Sequence, residues 1–88
     1  MPDLFRIECV TPSGVLFTRE AHVVSAVSDE GSFGIMAHHQ PLLAVLKDPS
    51  DVVIRTGEKS AVFRVTEGIL RVEKTRVLLL ASDVSEVR

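Results

Sequence analysis

Turn-forming residues punctuate this chain at intervals of roughly 8–12 residues, and the runs between them are short, apolar and rich in β-branched side chains. No uninterrupted interval suits a helix of ordinary length. Thr11-Pro12-Ser13-Gly14, Asp29-Glu30-Gly31, Asp48-Pro49-Ser50-Asp51 and Thr56-Gly57-Glu58-Lys59 read as turns or loops, with proline presetting φ and glycine supplying positive φ. Leu4–Val10 alternates, with Phe5, Ile7 and Cys9 on one side and Arg6 and Glu8 on the other, the period of a half-buried strand. Val15–Thr18, His22–Ser28, Val52–Arg55, Ser60–Thr66, Ile69–Glu73 and Arg76–Ala81 follow the same logic, and Ala61, Phe63 and Val65 share a face. Glu67-Gly68 marks a bulge or tight turn. Phe33–Met36 and Leu42–Leu46 flank Pro41, which disfavours one continuous helix there. A helix is expected only at the end, where Ser82 or Asp83 caps it and Glu86 completes a capping box. The expectation is an all-β fold: one domain over residues 1–88, a flattened sandwich of two antiparallel sheets with about 8–10 short strands.

A chain of 88 residues makes one domain with a modest core, so a partner surface would add stability. Ten Lys+Arg against twelve Asp+Glu leave a formal charge of −2 and no basic face, which argues against nucleic-acid binding. The single cysteine, Cys9, reads as a small buried hydrophobe in a reducing compartment. There is no apolar run long enough to span a bilayer and no secretory-signal pattern, so a cytosolic or cytosol-facing location is expected.

Catalytic constellations are weak. His22, His38 and His39 could be combined into a metal site, yet adjacent histidines on a strand point to opposite faces and the spacing matches no zinc motif. No serine lies in a nucleophile elbow, and Cys9 on an apolar strand face would be blunted by burial. Gly31-x-x-Gly34 is no phosphate loop, because no Lys-Ser/Thr follows it. No cofactor or small-molecule substrate is implied. What remains is Gly31 to Lys47, with two glycines, two histidines and a proline in an apolar run that suits docking. Ser32 and Phe33 are expected at an exposed loop tip between Gly31 and Gly34, with positive φ at Gly34 making Gly34→Val disruptive.

These residues resemble a known family. Gly31-x-x-Gly34-Ile35, His39-x-Pro41-Leu42-Leu43-Ala44 and Lys47 look like the signature of the epsilon subunit of F-type ATP synthase, delta in mitochondria. Phe5 to Phe17 resembles the family's first strands, and Gly68-Ile69-Leu70-x-Val72 with Val77-x-Leu-Leu80-Ala81 its last ones. The resemblance implies a non-catalytic rotor subunit of a proton-translocating complex. Its β-sandwich would lock the gamma subunit to the membrane ring of c subunits, and through gamma act indirectly on the catalytic alpha/beta head. It further implies that Gly31, Ser32, Phe33 and Gly34 meet the c ring and that His39, Pro41, Leu42 and Leu43 meet gamma. The implied location is peripheral, on the cytoplasmic face of the inner (plasma) membrane, or on an organellar membrane in a eukaryote. The family usually continues as a helical hairpin from about where this chain stops, at Arg88, so hairpin-based inhibition and ATP sensing are not implied. Ser32 stands where the family often has an acid, and Glu67-Gly68 where it usually has two glycines, of which one suffices if a single residue takes positive φ. The readings from other classes are a small β-domain enzyme or metal protein using His22, His38 and His39, and a paralogue serving another assembly.

Overall fold

The computed structural model describes residues 3–38 and 40–87. Ten strands run in order along them: β1 (Phe5–Thr11), β2 (Gly14–Ala21), β3 (Val23–Ser28), β4 (Gly31–Ile35), β5 (Leu42–Val45), β6 (Ser50–Thr56), β7 (Lys59–Thr66), β8 (Ile69–Val72), β9 (Arg76–Leu80) and β10 (Asp83–Glu86). They form two five-stranded sheets, ordered β2-β1-β9-β8-β5 and β10-β7-β6-β3-β4. The expected sandwich of about eight to ten strands is what the chain builds.

Three details differ from the expectation. The first sheet is mixed, because β1 and β9 pair in parallel with Ile7 opposite Val77 and Cys9 opposite Leu79. Strands so far apart in sequence leave no turn from which their direction could be read. The last segment is a strand: β10 lies antiparallel to β7, with Val84 opposite Val65 and partly buried against the core. The open edge of β7 offers that backbone a ladder, which outweighs a local capping pattern too short to nucleate a helix. Finally, Gly31–Gly34 is the body of β4, with Ala26 opposite Phe33 and Ser25 opposite Gly34.

The sheets bury one face each. Ile7, Cys9, Leu70, Leu79 and Val77 from the first sheet meet Val24, Ile35, Val52, Ile54, Phe63 and Val65 from the second. Alternation along β1 and β6 places these residues inward and the charges outward, as a period of two requires. Phe17 on β2 stacks on Phe63 of β7 with ring centroids 4.8 Å apart, and the Arg19 guanidinium lies 4.9 Å and 5.2 Å from the two ring centroids. Between Cys9 and Val10 the β1–β2 register shifts, leaving Leu16 as an extra residue on β2. On the first sheet, Arg76 Nε donates to Glu73 Oε1 at 2.8 Å and its Nη1 reaches Glu8, while Arg71 pairs with Glu73 at 3.3 Å.

The glycine logic also shifts by a residue. Glu67, not Gly68, takes the left-handed conformation, at φ 51°. Asp48 supports it by accepting the Glu67 N–H at 3.1 Å. Gly68 is needed for space instead: a Cβ there would sit 2.5 Å from Val65 Cγ1 and 3.2 Å from Leu46 Cδ1.

Candidate functional site: the groove between β4 and β5

Edge strands of the two sheets, β4 and β5, line a common groove of about 670 Å³. Gly31–Gly34 forms one wall and Leu42–Val45 the other, with Ser28, Asp29 and Glu30 at one end. Leu42 and Ala44 turn toward the core, so the alternation of β5 turns Leu43 and Val45 outward, where they stay 66% and 67% exposed. Two large aliphatic side chains left in water on one short edge strand form an apolar patch that folding does not consume. Phe33 on β4 is half-buried against the core. A second groove joins Pro41, Leu42 and Leu43 to Arg71–Lys74.

Seven of the eight residues singled out from sequence fall within the described part of the chain, while His39 lies outside it. Gly31, Ser32, Phe33 and Gly34, assigned there to one partner, share a single groove with Leu42 and Leu43, assigned to the other. The backbone reading of that segment is corrected. Gly31 has positive φ, at 121°, and forms the end of the Asp29-Glu30 turn. Gly34 is ordinary strand backbone with room for a side chain: an added Cβ would meet only Val23 Cγ1, at 3.9 Å. Sequence reasoning missed Val45, whose signal was available as the i+2 neighbour of Leu43 on a strand.

The polar groups that could suggest chemistry are engaged in other work. His22 Nδ1 accepts the Gly57 N–H at 2.7 Å, tying the β2–β3 junction to the β6–β7 turn. His38 lies exposed after β4 at φ 65°, with Nε2 2.7 Å from Asp3 Oδ2. No group of three metal-ligating side chains occurs among the described residues. Cys9 is buried in β1, and burial pushes its thiol up to about 11, which keeps it protonated and a poor nucleophile at neutral pH. Among the described residues no helix is long and apolar enough to cross a membrane.

Comparison with known proteins agrees with this picture. Residues 4–87 match the model of the family described as ATP synthase, Delta/Epsilon chain, beta-sandwich domain. The chain is 33% identical over 84 residues to the ATP synthase epsilon chain of Aquifex aeolicus, covering 96% of itself and 62% of that relative. It is 33% identical over 81 residues to the epsilon chain of Chlorobium limicola, covering 92% of each. Some relatives are thus much longer than this chain and others are of similar length. The fold superposes on a chain of the Euglena gracilis mitochondrial ATP synthase (OSCP/F1/c-ring) with a TM-score of 0.82 at 15% identity, covering 98% of this chain and 55% of that one. It also superposes on a chain of the Tetrahymena thermophila mitochondrial ATP synthase central stalk/c-ring with a TM-score of 0.78 at 20% identity, covering 96% and 67%. A two-sheet sandwich with these strands and a family match over nearly its whole length identify the chain as a member of the ATP synthase delta/epsilon-chain β-sandwich family.

Proposed function

We propose that this chain works as the sandwich of a central-stalk subunit in an F-type ATP synthase, coupling gamma to the c ring so that proton-driven rotation reaches the catalytic alpha/beta head. The observation that carries this reading is the groove between β4 and β5, where the aliphatic side chains of Leu43 and Val45 stay exposed beside the polar turn at Asp29 and Glu30. Pro41, Leu42 and Leu43, with His39, are the residues proposed to meet gamma. Gly31, Ser32, Phe33 and Gly34, with the acidic turn beside them, are proposed to lie at the c ring. In this role the subunit is not itself catalytic, binds no cofactor and sits peripherally at the cytoplasmic face of the inner membrane, or at an organellar membrane in a eukaryote. Interfaces of this kind gain specificity from shape and a few apolar anchors, which Leu43 and Val45 supply.

The test is co-elution. The chain is mixed with the gamma subunit of its own organism and passed through a sizing column. A one-to-one complex is expected, and two separate peaks from folded components would refute the stalk role.

A further inference from the structure

Alternation gives each sheet an outer face, and the two outer faces differ. On the second sheet, register sets Val62, Val53, Ser25 and Gly34 side by side, and no leucine, isoleucine or aromatic residue turns outward from its strands. On the first sheet, Val45 lies opposite Ile69, Ile69 opposite Leu80, Leu80 opposite Val10 and Val10 opposite Val15. One apolar row thus crosses all five strands from edge to edge, and Leu43 and Leu78 widen it. None of these side chains belongs to the core, and Val15, like Leu43 and Val45, is mostly exposed. Folding of the sandwich does not consume this row.

Charge is divided on either side of the row. Successive strands run end to end, so their connections alternate between the two ends of the sandwich. The connections at one end carry Asp29, Glu30, Asp48 and Glu67 against Lys47, all of them exposed. Toward the other end, the outer face of the first sheet carries Arg6, Arg71, Lys74 and Arg76 against Glu8, Glu20 and Glu73. Glu8 and Glu73 are already held there by Arg71 and Arg76. Arg6 and Lys74 make no ion pair among the described residues, and neither do Asp48 and Glu67 at the opposite end. The face is therefore acidic beyond one side of its apolar row and basic beyond the other.

Such a face matches itself when a second copy is turned end for end. A two-fold rotation about the apolar row lays row on row and sets acidic end against basic end. We propose that a second copy of this chain covers the outer face of the first sheet, in a face-to-face dimer with antiparallel strands. β8 gives the register. Glu67, Ile69 and Arg71 follow one another at two-residue spacing, so stacking Ile69 on Ile69 of the second copy places Glu67 beside Arg71 of that copy, and the symmetry repeats the contact. Five strands at a spacing of about 4.8 Å and about five residues of each give a footprint of roughly 24 Å by 17 Å. That lies at the low end of specific interfaces, so the dimer is weak and dissociable. The inference goes beyond the stalk reading and does not rest on it. Leu43 serves both surfaces, so a chain in the dimer is not in the complex with gamma.

Sedimentation of the isolated chain, from about 1 μM to about 500 μM, tests this. The mass is expected to climb from that of one chain toward that of two. A single-chain mass at every concentration overturns the dimer and leaves the stalk role standing. Val15→Asp alters an exposed side chain, so it is expected to keep the thermal transition and weaken association at least roughly tenfold. A variant that associates as the wild type does overturns the assignment to this face. Glu67→Arg sets like charges together and is expected to weaken association roughly tenfold, while Glu67→Arg combined with Arg71→Glu is expected to restore it. A loss that persists in the double variant overturns the antiparallel register.

Discussion

Single residues decide more here than their types suggest. Gly34 and Gly68 were both expected to serve turns, yet one lies in plain strand and the other fills a gap between Val65 and Leu46. Gly34→Val is therefore expected to leave the fold intact, with a thermal transition within a few degrees of the wild type, opposite to the expectation from positive φ. Gly68→Ala must push aside a buried valine and is expected to cost about 1–3 kcal/mol, read as a lower midpoint in urea. Cys9 carries a third prediction. Its thiol, raised to about 11 by burial, is expected to resist a thiol reagent in the native state and to react at once in denaturant. Fast native labelling would show that β1 opens readily.

At the scale of elements, the legible parts were those with local signals. Alternation marked β1 and β7, and turn residues marked their ends. The β6–β7 hairpin follows directly from a Gly57-Glu58 turn between two alternating runs. What could not be read was pairing at a distance: the parallel direction of β1 on β9, and the capture of 83–86 by β7. Ser82-Asp83 with Glu86 resembled a helix start because capping is a local pattern, whereas the ladder that overrides it is not. The outer face of β8 and β9 yields a pH prediction. Hydrogen bonding to Arg76 holds the Glu73 carboxyl below its ordinary range. A depressed value in the folded state gives stability that is present above the unfolded carboxylate range and is lost as pH falls through the folded value. Glu73→Gln removes that contribution, so it is expected to lower the curve slightly at neutral pH, leave it unchanged at the acid end and thereby flatten the acid limb, a small effect as suits a solvent-exposed pair.

For the whole molecule, the region proposed to dock was legible as a segment and illegible as a surface. Glycines, Pro41 and apolar residues between Gly31 and Lys47 drew attention because nothing else in the sequence competes with them. That β4 and β5 belong to different sheets and still line one groove depends on how the sandwich closes, which no local pattern encodes. Leu43→Asp tests the surface. The side chain is exposed, so the fold should tolerate the change, but burying it against a partner is worth about 1.5–3 kcal/mol. Binding to gamma is expected to weaken roughly tenfold to a hundredfold, measured by calorimetry. Unchanged affinity would remove Leu43 from the interface.

The parallel pairing of β1 with β9 bears on how the molecule is made. Its first strand has no second neighbour until the segment Arg76–Leu80 has left the ribosome. The remainder of that sheet, β8 with β5, attaches only through β9, so half of the sandwich waits on a strand about seventy residues after the first. Closing so long a loop costs entropy before any contact repays it, which places folding in the milliseconds-to-seconds range of non-local β proteins. A nascent chain arrested before β9 would expose the apolar face of the β1–β2 hairpin, the side chains of Ile7 and Cys9 among them, until Arg76–Leu80 arrives to cover the edge of β1.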